Sequence, residues 1–310
     1  MSEFKVLLSV MLELFAFIIL GYILVKMKQI DKHSNQILSS LVANVFSPAL
    51  IIGSVFSKSS INNNEIVIEA IFYGIILYIF YLIFNSILFK FIKFNQNESN
   101  IFKLSLIFAN TAFIGYPILK SIFGELSIFI FSLVHLSFNI LLFSYGANLL
   151  SKSKQKELFS IKQLLSPGFL CSIVAIILYF SKVSCPEPVY EFLNTLGNVS
   201  IPLSMIVIGA TLGFVDIKEV LKNKNVYFIT FIKLIILPII TSLFVKILPC
   251  QEFIKQLLVF STILPSGSMV VILSNKYNNN YSLATATVFL STLLSIITIP
   301  VMLSILKIYG

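Results

Sequence analysis

Charge is what this sequence has least of. Only 11% of its 310 residues are charged, 57% are hydrophobic, and the mean hydropathy is +0.97. A soluble domain typically carries about 25% charged residues to solvate its surface, so a water-soluble globular fold is excluded. Arginine is absent, and all 22 basic residues are lysine. Recognition of an anion therefore cannot use a bidentate guanidinium clamp and must rest on dipoles, amides, hydroxyls or a lysine amine. The three cysteines, Cys171, Cys185 and Cys250, form no metal-type spacing. A Cys185–Cys250 disulfide stays open, because both fall in loops on one side, but free thiols are the preferred reading. Only two histidines are present, His33 and His135. No nucleophile elbow, zinc motif, phosphate loop or dinucleotide fingerprint occurs, so no catalytic cluster, metal site or resident cofactor is expected.

What the chain has instead is apolar windows. A membrane span needs roughly 20 mostly apolar residues. Ten windows qualify: 5–25, 36–57, 66–89, 102–120, 126–150, 164–181, 191–214, 226–247, 255–275 and 282–306. The loops between them leave no room for a soluble catalytic domain. The first window reads as a span rather than a cleaved leader: it is long, it contains Glu13, and Lys26-Met27-Lys28 follows it without a small-residue cleavage site. The net charge of +9 would raise the question of nucleic acid on a soluble protein. Here the lysines divide roughly two to one between the alternating loop sides, with Lys26, Lys90, Lys152 and Lys222 on the richer one. The positive-inside rule then places the richer loops in the cytoplasm and both termini outside the plasma membrane, with lipid rather than nucleic acid as partner.

The polar stretch Ser151–Gln163 divides the chain into a first block (1–150), a linker (151–163) and a second block (164–310), each block holding five windows. An odd number of spans per block makes the second enter the membrane from the opposite side, the construction of an inverted-repeat transporter. Asn44-Val45-Phe46-Ser47-Pro48 in the second window is echoed by Asn198-Val199-Ser200-Ile201-Pro202 in the seventh. The fourth window contains Asn110-Thr111-Ala112-Phe113-Ile114-Gly115-Tyr116-Pro117, and the ninth contains Pro265-Ser266-Gly267-Ser268. Proline removes an N–H and clashes with the carbonyl four residues back, so Pro117 and Pro265 are expected to break or kink their helices. Paired interruptions in corresponding spans point to a transporter's binding site.

On these residues the chain resembles the auxin efflux carrier family of membrane transporters, in its bacterial form. The resemblance runs along nearly the whole chain. It is carried by Leu38–Leu41 and Ser47–Leu50, by the Asn110-Thr111 pair followed by Gly115-Tyr116-Pro117, by Asn139 and by Pro300. It implies an all-α membrane protein of ten helices in two inverted five-helix repeats, with the fourth and ninth helices broken and crossing. The implied function is secondary transport of a small organic anion by alternating access; bacterial members are linked to carboxylates such as malate or malonate. The substrate-binding candidates are Asn110, Thr111, Gly115, Pro117, Asn139, Pro265, Ser266, Gly267 and Ser268. Half-helix N-termini suit a carboxylate, and the polar side chains add neutral donors.

Four other features stand out. Glu13, the one carboxylate well inside a window, is a candidate for proton coupling because an intramembrane acid is costly; sodium is the other coupling ion considered. Lys233 lies about a third of the way into the eighth window, where snorkelling of its stem to the interface is preferred over substrate contact. His135 and Asn139 share a helix face, with His135 read as a packing histidine. Gly209-x-x-x-Gly213 reads as a helix-packing notch. An uncoupled channel or sensor on the same fold is the alternative function, and a homodimer stays open.

Overall fold

A computed structural model of the chain describes residues 3–57, 64–151, 166–215, 222–277 and 279–308. The expected linker beyond Ser151 and the loop with Lys58 lie outside these residues. All described secondary structure is helical apart from one isolated antiparallel bridge. Twelve helices cover the ten windows: α1 (Glu3–Lys26), α2 (Lys32–Val55), α3 (Asn64–Phe91), α4 (Gln96–Ile107), α5 (Thr111–Phe123), α6 (Leu126–Leu150), α7 (Pro167–Ser181), α8 (Glu187–Gly213), α9 (Lys224–Lys246), α10 (Glu252–Ile263), α11 (Met269–Lys276) and α12 (Tyr281–Ile305). Six of them, α2, α3, α6, α8, α9 and α12, are long and apolar enough to cross a membrane. The fourth and ninth windows are each split into two short helices, α4 with α5 and α10 with α11. The sixth window yields a helix of 15 residues.

Apolar side chains lie on both sides of these helices, as lipid requires. On α3, Ile68, Phe72, Ile75, Ile79, Ile83 and Ile87 form an exposed stripe at helical spacing, while Tyr78, Tyr81 and Asn85 turn inward. Polar groups thus face protein and hydrocarbon faces outward, the reverse of a soluble helix.

The helices pack as two groups. In one, α1 lies along the second half of α8, and α2 contacts both α7 and the first half of α8. The α1–α8 contact is the expected glycine notch and more: a Cβ on Gly209 would collide with the backbone of Ile18, and one on Gly21 with the backbone of Ile206. Two helices can approach this closely only over glycine. In the other group, α3 packs on α6 and α10, while α9 packs on α10, α12 and the end of α4. The echoed segments of α2 and α8 meet, with the hydroxyls of Ser47 and Ser200 3.1 Å apart.

Proline is accommodated differently from the expectation. Three of the four five-residue π-helical segments among the described residues, Val42–Phe46, Thr111–Gly115 and Ile232–Ile236, each end two residues before a proline: Pro48, Pro117 and Pro238; the fourth, Leu142–Gly146, does not. The amides of Ser47, Tyr116 and Leu237 reach back five residues, to Val42, Thr111 and Ile232. Widening the turn moves the carbonyl with which the proline ring would clash. Pro117 therefore sits inside a continuing helix. The chain breaks earlier, at Phe108–Asn110.

Candidate functional site

The two breaks touch. Ala109 and Ser266 form the antiparallel bridge. The Asn110 amide donates to Pro265 O at 2.9 Å, and the Gly267 amide donates to Phe108 O at 2.7 Å. Lipid cannot hydrogen-bond opened backbone, and here each break satisfies the other. Gly267 is required here: a Cβ would lie 2.9 Å from Ala109 O. Ser266, fully buried, donates its hydroxyl to Ser105 O at 2.9 Å, while its amide donates to the Ser291 hydroxyl of α12 at 3.2 Å.

Each break opens a new helix start. Asn110 caps α5, its Oδ1 accepting from the Phe113 amide at 3.3 Å. Ser268 is the N-cap position of α11. Among the described residues no backbone carbonyl accepts from the amides of Ala112 or Met269, and Thr111, Ala112, Ser268 and Met269 are half-buried rather than sealed in. Two helix N-termini with unused donors and a neutral polar lining suit an anion.

The structure brings Asn110, Pro265, Ser266 and Gly267 into direct contact and puts Thr111 and Ser268 one residue beyond that contact. Gly115 is buried at the end of the π segment; its amide donates to Asn110 O at 3.1 Å. Asn139 is half-buried on α6, one residue past Phe138, whose ring meets that of Phe108 at 5.1 Å. Pro117 lies downstream of the crossing. His135 is buried, with Nδ1 2.9 Å from Phe131 O, in keeping with a packing histidine. Glu13 is not among these groups: it is exposed on α1 beside buried Met11 and Leu14. The three cysteines are free.

Lys233 corrects an expectation. Its stem does not snorkel outward. The residue is fully buried in the π segment of α9, and its Nζ donates to Leu106 O, in the last turn of α4, at 3.0 Å. With Ser105 and Ser291 it belongs to the shell that holds the crossing, and nothing in the sequence alone brings α9 or α12 against α4.

Comparison with known proteins identifies the family. A family model described as "Membrane transport protein" matches residues 6–303. An uncharacterized transporter of Methanothermobacter thermautotrophicus is 21% identical over 295 residues, covering 93% of this chain and 95% of its own. An uncharacterized transporter of Methanocaldococcus jannaschii is 26% identical over 199 residues, covering 61% of this chain and 63% of its own. The chain belongs to the membrane transport protein family, that of the auxin efflux carriers, and is a membrane transporter.

Proposed function

We propose that this transporter carries a small organic anion, a mono- or dicarboxylate of the malate or malonate type, across the plasma membrane by alternating access. The observation that carries the reading is the crossing, where the starts of α5 and α11 present unused amides beside Asn110, Thr111 and Ser268. A carboxylate placed there would accept from both helix ends and meet their positive dipole ends. Without arginine the affinity is modest, which suits release after transport.

Alternating access needs two related halves, and we infer an inverted repeat of five spans each. The packing supports this, because contacts recur with spans shifted by five. Helices α3 and α6 pair as α9 and α12 do; α3 meets α10 as α9 meets α4; α1 meets α8 as α7 meets α2. Both termini then lie outside the cell. A cysteine introduced at Ser153 should be shielded from an impermeant reagent in intact cells, and its labelling would reverse the topology.

The transport reading is tested by reconstitution. Saturable uptake of labelled malate or malonate into proteoliposomes, with counterflow on the opposite side, is the expected result. Thermal stabilisation of the purified protein by a panel of acids identifies which one binds. If no carboxylate stabilises it and neutral or cationic solutes do, the anion assignment is wrong.

A further inference from the structure

We propose that the Lys233 ammonium is a built-in cation. It occupies, at the C-terminal end of half-helix α4, the place where carbonyl oxygens would otherwise hold a coupling ion, so the first break binds no sodium. The proposal rests on the crossing being the transport site.

A helix C-terminus carries partial negative charge and orphan carbonyls, and unwound carbonyls at half-helix ends are where transporters hold small cations. At the end of α4 three of these oxygens are already engaged. Ser105 O accepts from the Ser266 hydroxyl, Leu106 O from Lys233 Nζ and Phe108 O from the Gly267 amide. Of these donors only Lys233 can carry a charge. It arrives from a different helix, and its π segment packs on α4, α10 and α12 together.

Among the described residues no carboxylate pairs with it, and the one ion pair is Lys120–Glu125. A buried charge without hydrogen-bonding or ionic compensation is strongly destabilising, so the carbonyl dipoles of α4 are the compensation this amine has. The second break is built without such a group. There α3 approaches α10 where α9 approaches α4, but the contact is a neutral pair, Tyr81 Oη and Ser261 Oγ 3.2 Å apart. The charge is therefore a feature of one break and not of the fold in general.

The salt arm of the test is read on purified protein, without transport, so its failure leaves the transport reading standing; exchange in proteoliposomes is the second readout. Thermal unfolding is measured in sodium chloride and in choline chloride at equal ionic strength. The wild type should melt at the same temperature in both. Lys233→Ala removes the cation and leaves room for a small one: it should melt lower in choline chloride and recover in sodium or methylammonium chloride. Lys233→Met keeps the stem and removes the charge; apolar replacement of a buried charge is often tolerated. It should therefore accumulate in membranes, show no salt-specific recovery, and lose exchange in proteoliposomes, while Lys233→Arg retains part of it. Sodium-specific stabilisation of the wild type as large as that of Lys233→Ala would overturn the proposal. So would full exchange by Lys233→Met, which also decides the matter if Lys233→Ala cannot be purified. An Ala variant that weakens substrate binding while no form responds to sodium or methylammonium would make Lys233 a substrate contact instead.

Discussion

Helices α5 and α11 start at the same crossing but meet different surroundings. Helix α5 packs on the Leu126–Val134 end of α6, and α11 packs on its Ala147–Leu150 end, so they run to opposite ends of the bundle. The α5 end is clasped. Its π segment lies against α8, its far end carries Lys120, and Lys120 pairs with Glu125 at 2.8 Å. Both reach α8, Lys120 by donating to Asn198 Oδ1 and Glu125 by accepting from the Tyr190 hydroxyl at 3.0 Å. Helix α11 has no comparable contact with α1, α2, α7 or α8 among the described residues, and its Ile272 is 54% exposed. Two half-helices with the same local design thus have different neighbours: α5 is tied to α8 by side chains and α11 is not. The alternating-access cycle proposed above would have to exchange such contacts between the two ends.

The largest expected effect comes from breaking what the two regions share. Gly267→Ala puts a methyl 2.9 Å from Ala109 O and 3.3 Å from Phe108 O, the acceptor of its own amide. Backbone cannot yield as a side chain can, so overpacking here should cost about 1–3 kcal/mol and abolish exchange. Gly115→Ala is the matched control. Its Cβ would meet Leu264 Cδ1 at 3.0 Å, the mobile end of a side chain, and should cost less. Thermal unfolding and counterflow of both variants measure the difference; equal losses would mean that crossing contact is not the cause.

The prolines come next, and they should separate. Pro265 lies within the second break, and its carbonyl accepts from the Asn110 amide. Pro265→Ala restores an N–H that lets α10 continue through the crossing, so exchange should fall far more than membrane expression. Pro117 lies in α5 after a π segment that already absorbs its ring. Pro117→Ala lets that segment tighten, with a smaller loss. Equal loss in both variants would restore the symmetric reading in which both prolines break their helices.

That separation marks how far the sequence reaches. Six of the ten windows are helices long and apolar enough to span, legible because hydrocarbon demands long apolar stretches, and the second break was legible because Pro265-Ser266-Gly267-Ser268 leaves little to hold a helix. The first break was legible only as a neighbourhood. Asn110 and Thr111 were identified, but Pro117 drew attention seven residues past the contact, since sequence does not reveal a π segment. Lys233 was misread for a related reason. Its depth in the span was visible, but whether a lysine turns to the interface or inward depends on which helix α9 packs against. That is a tertiary fact.

A smaller effect is expected at the clasp. Glu125→Gln keeps shape and removes the charge that holds Lys120. The side chains of the pair are 15% and 28% exposed, so stability should change by no more than about 1 kcal/mol. The informative readout is access. A cysteine at Thr111 should be labelled faster from the Lys120 end in the Glu125→Gln background than in the wild type. An unchanged rate would mean that apolar contact between α5 and α8 seals that end without help from the charges.

Glu13 should matter least, although its place in the sequence singled it out. An acid inside a span earns attention because burial without a partner is costly. In the structure Glu13 does not turn toward protein as that cost would lead one to expect. It is exposed on α1, on the side turned away from buried Met11, Leu14 and Ile18, and α1 meets the crossing group mainly through α5 and α12. A coupling acid must change its surroundings as access changes sides. A carboxyl on the outer face of a helix fixed to α8 by interlocked glycines has no evident way to do so. Glu13→Gln is therefore expected to keep both exchange and uptake driven by a pH gradient at the wild-type level. Loss of gradient-driven uptake with exchange intact would reverse this and make Glu13 the coupling acid. Some surface absent from the single chain, such as the face of a second copy, would then have to enclose it.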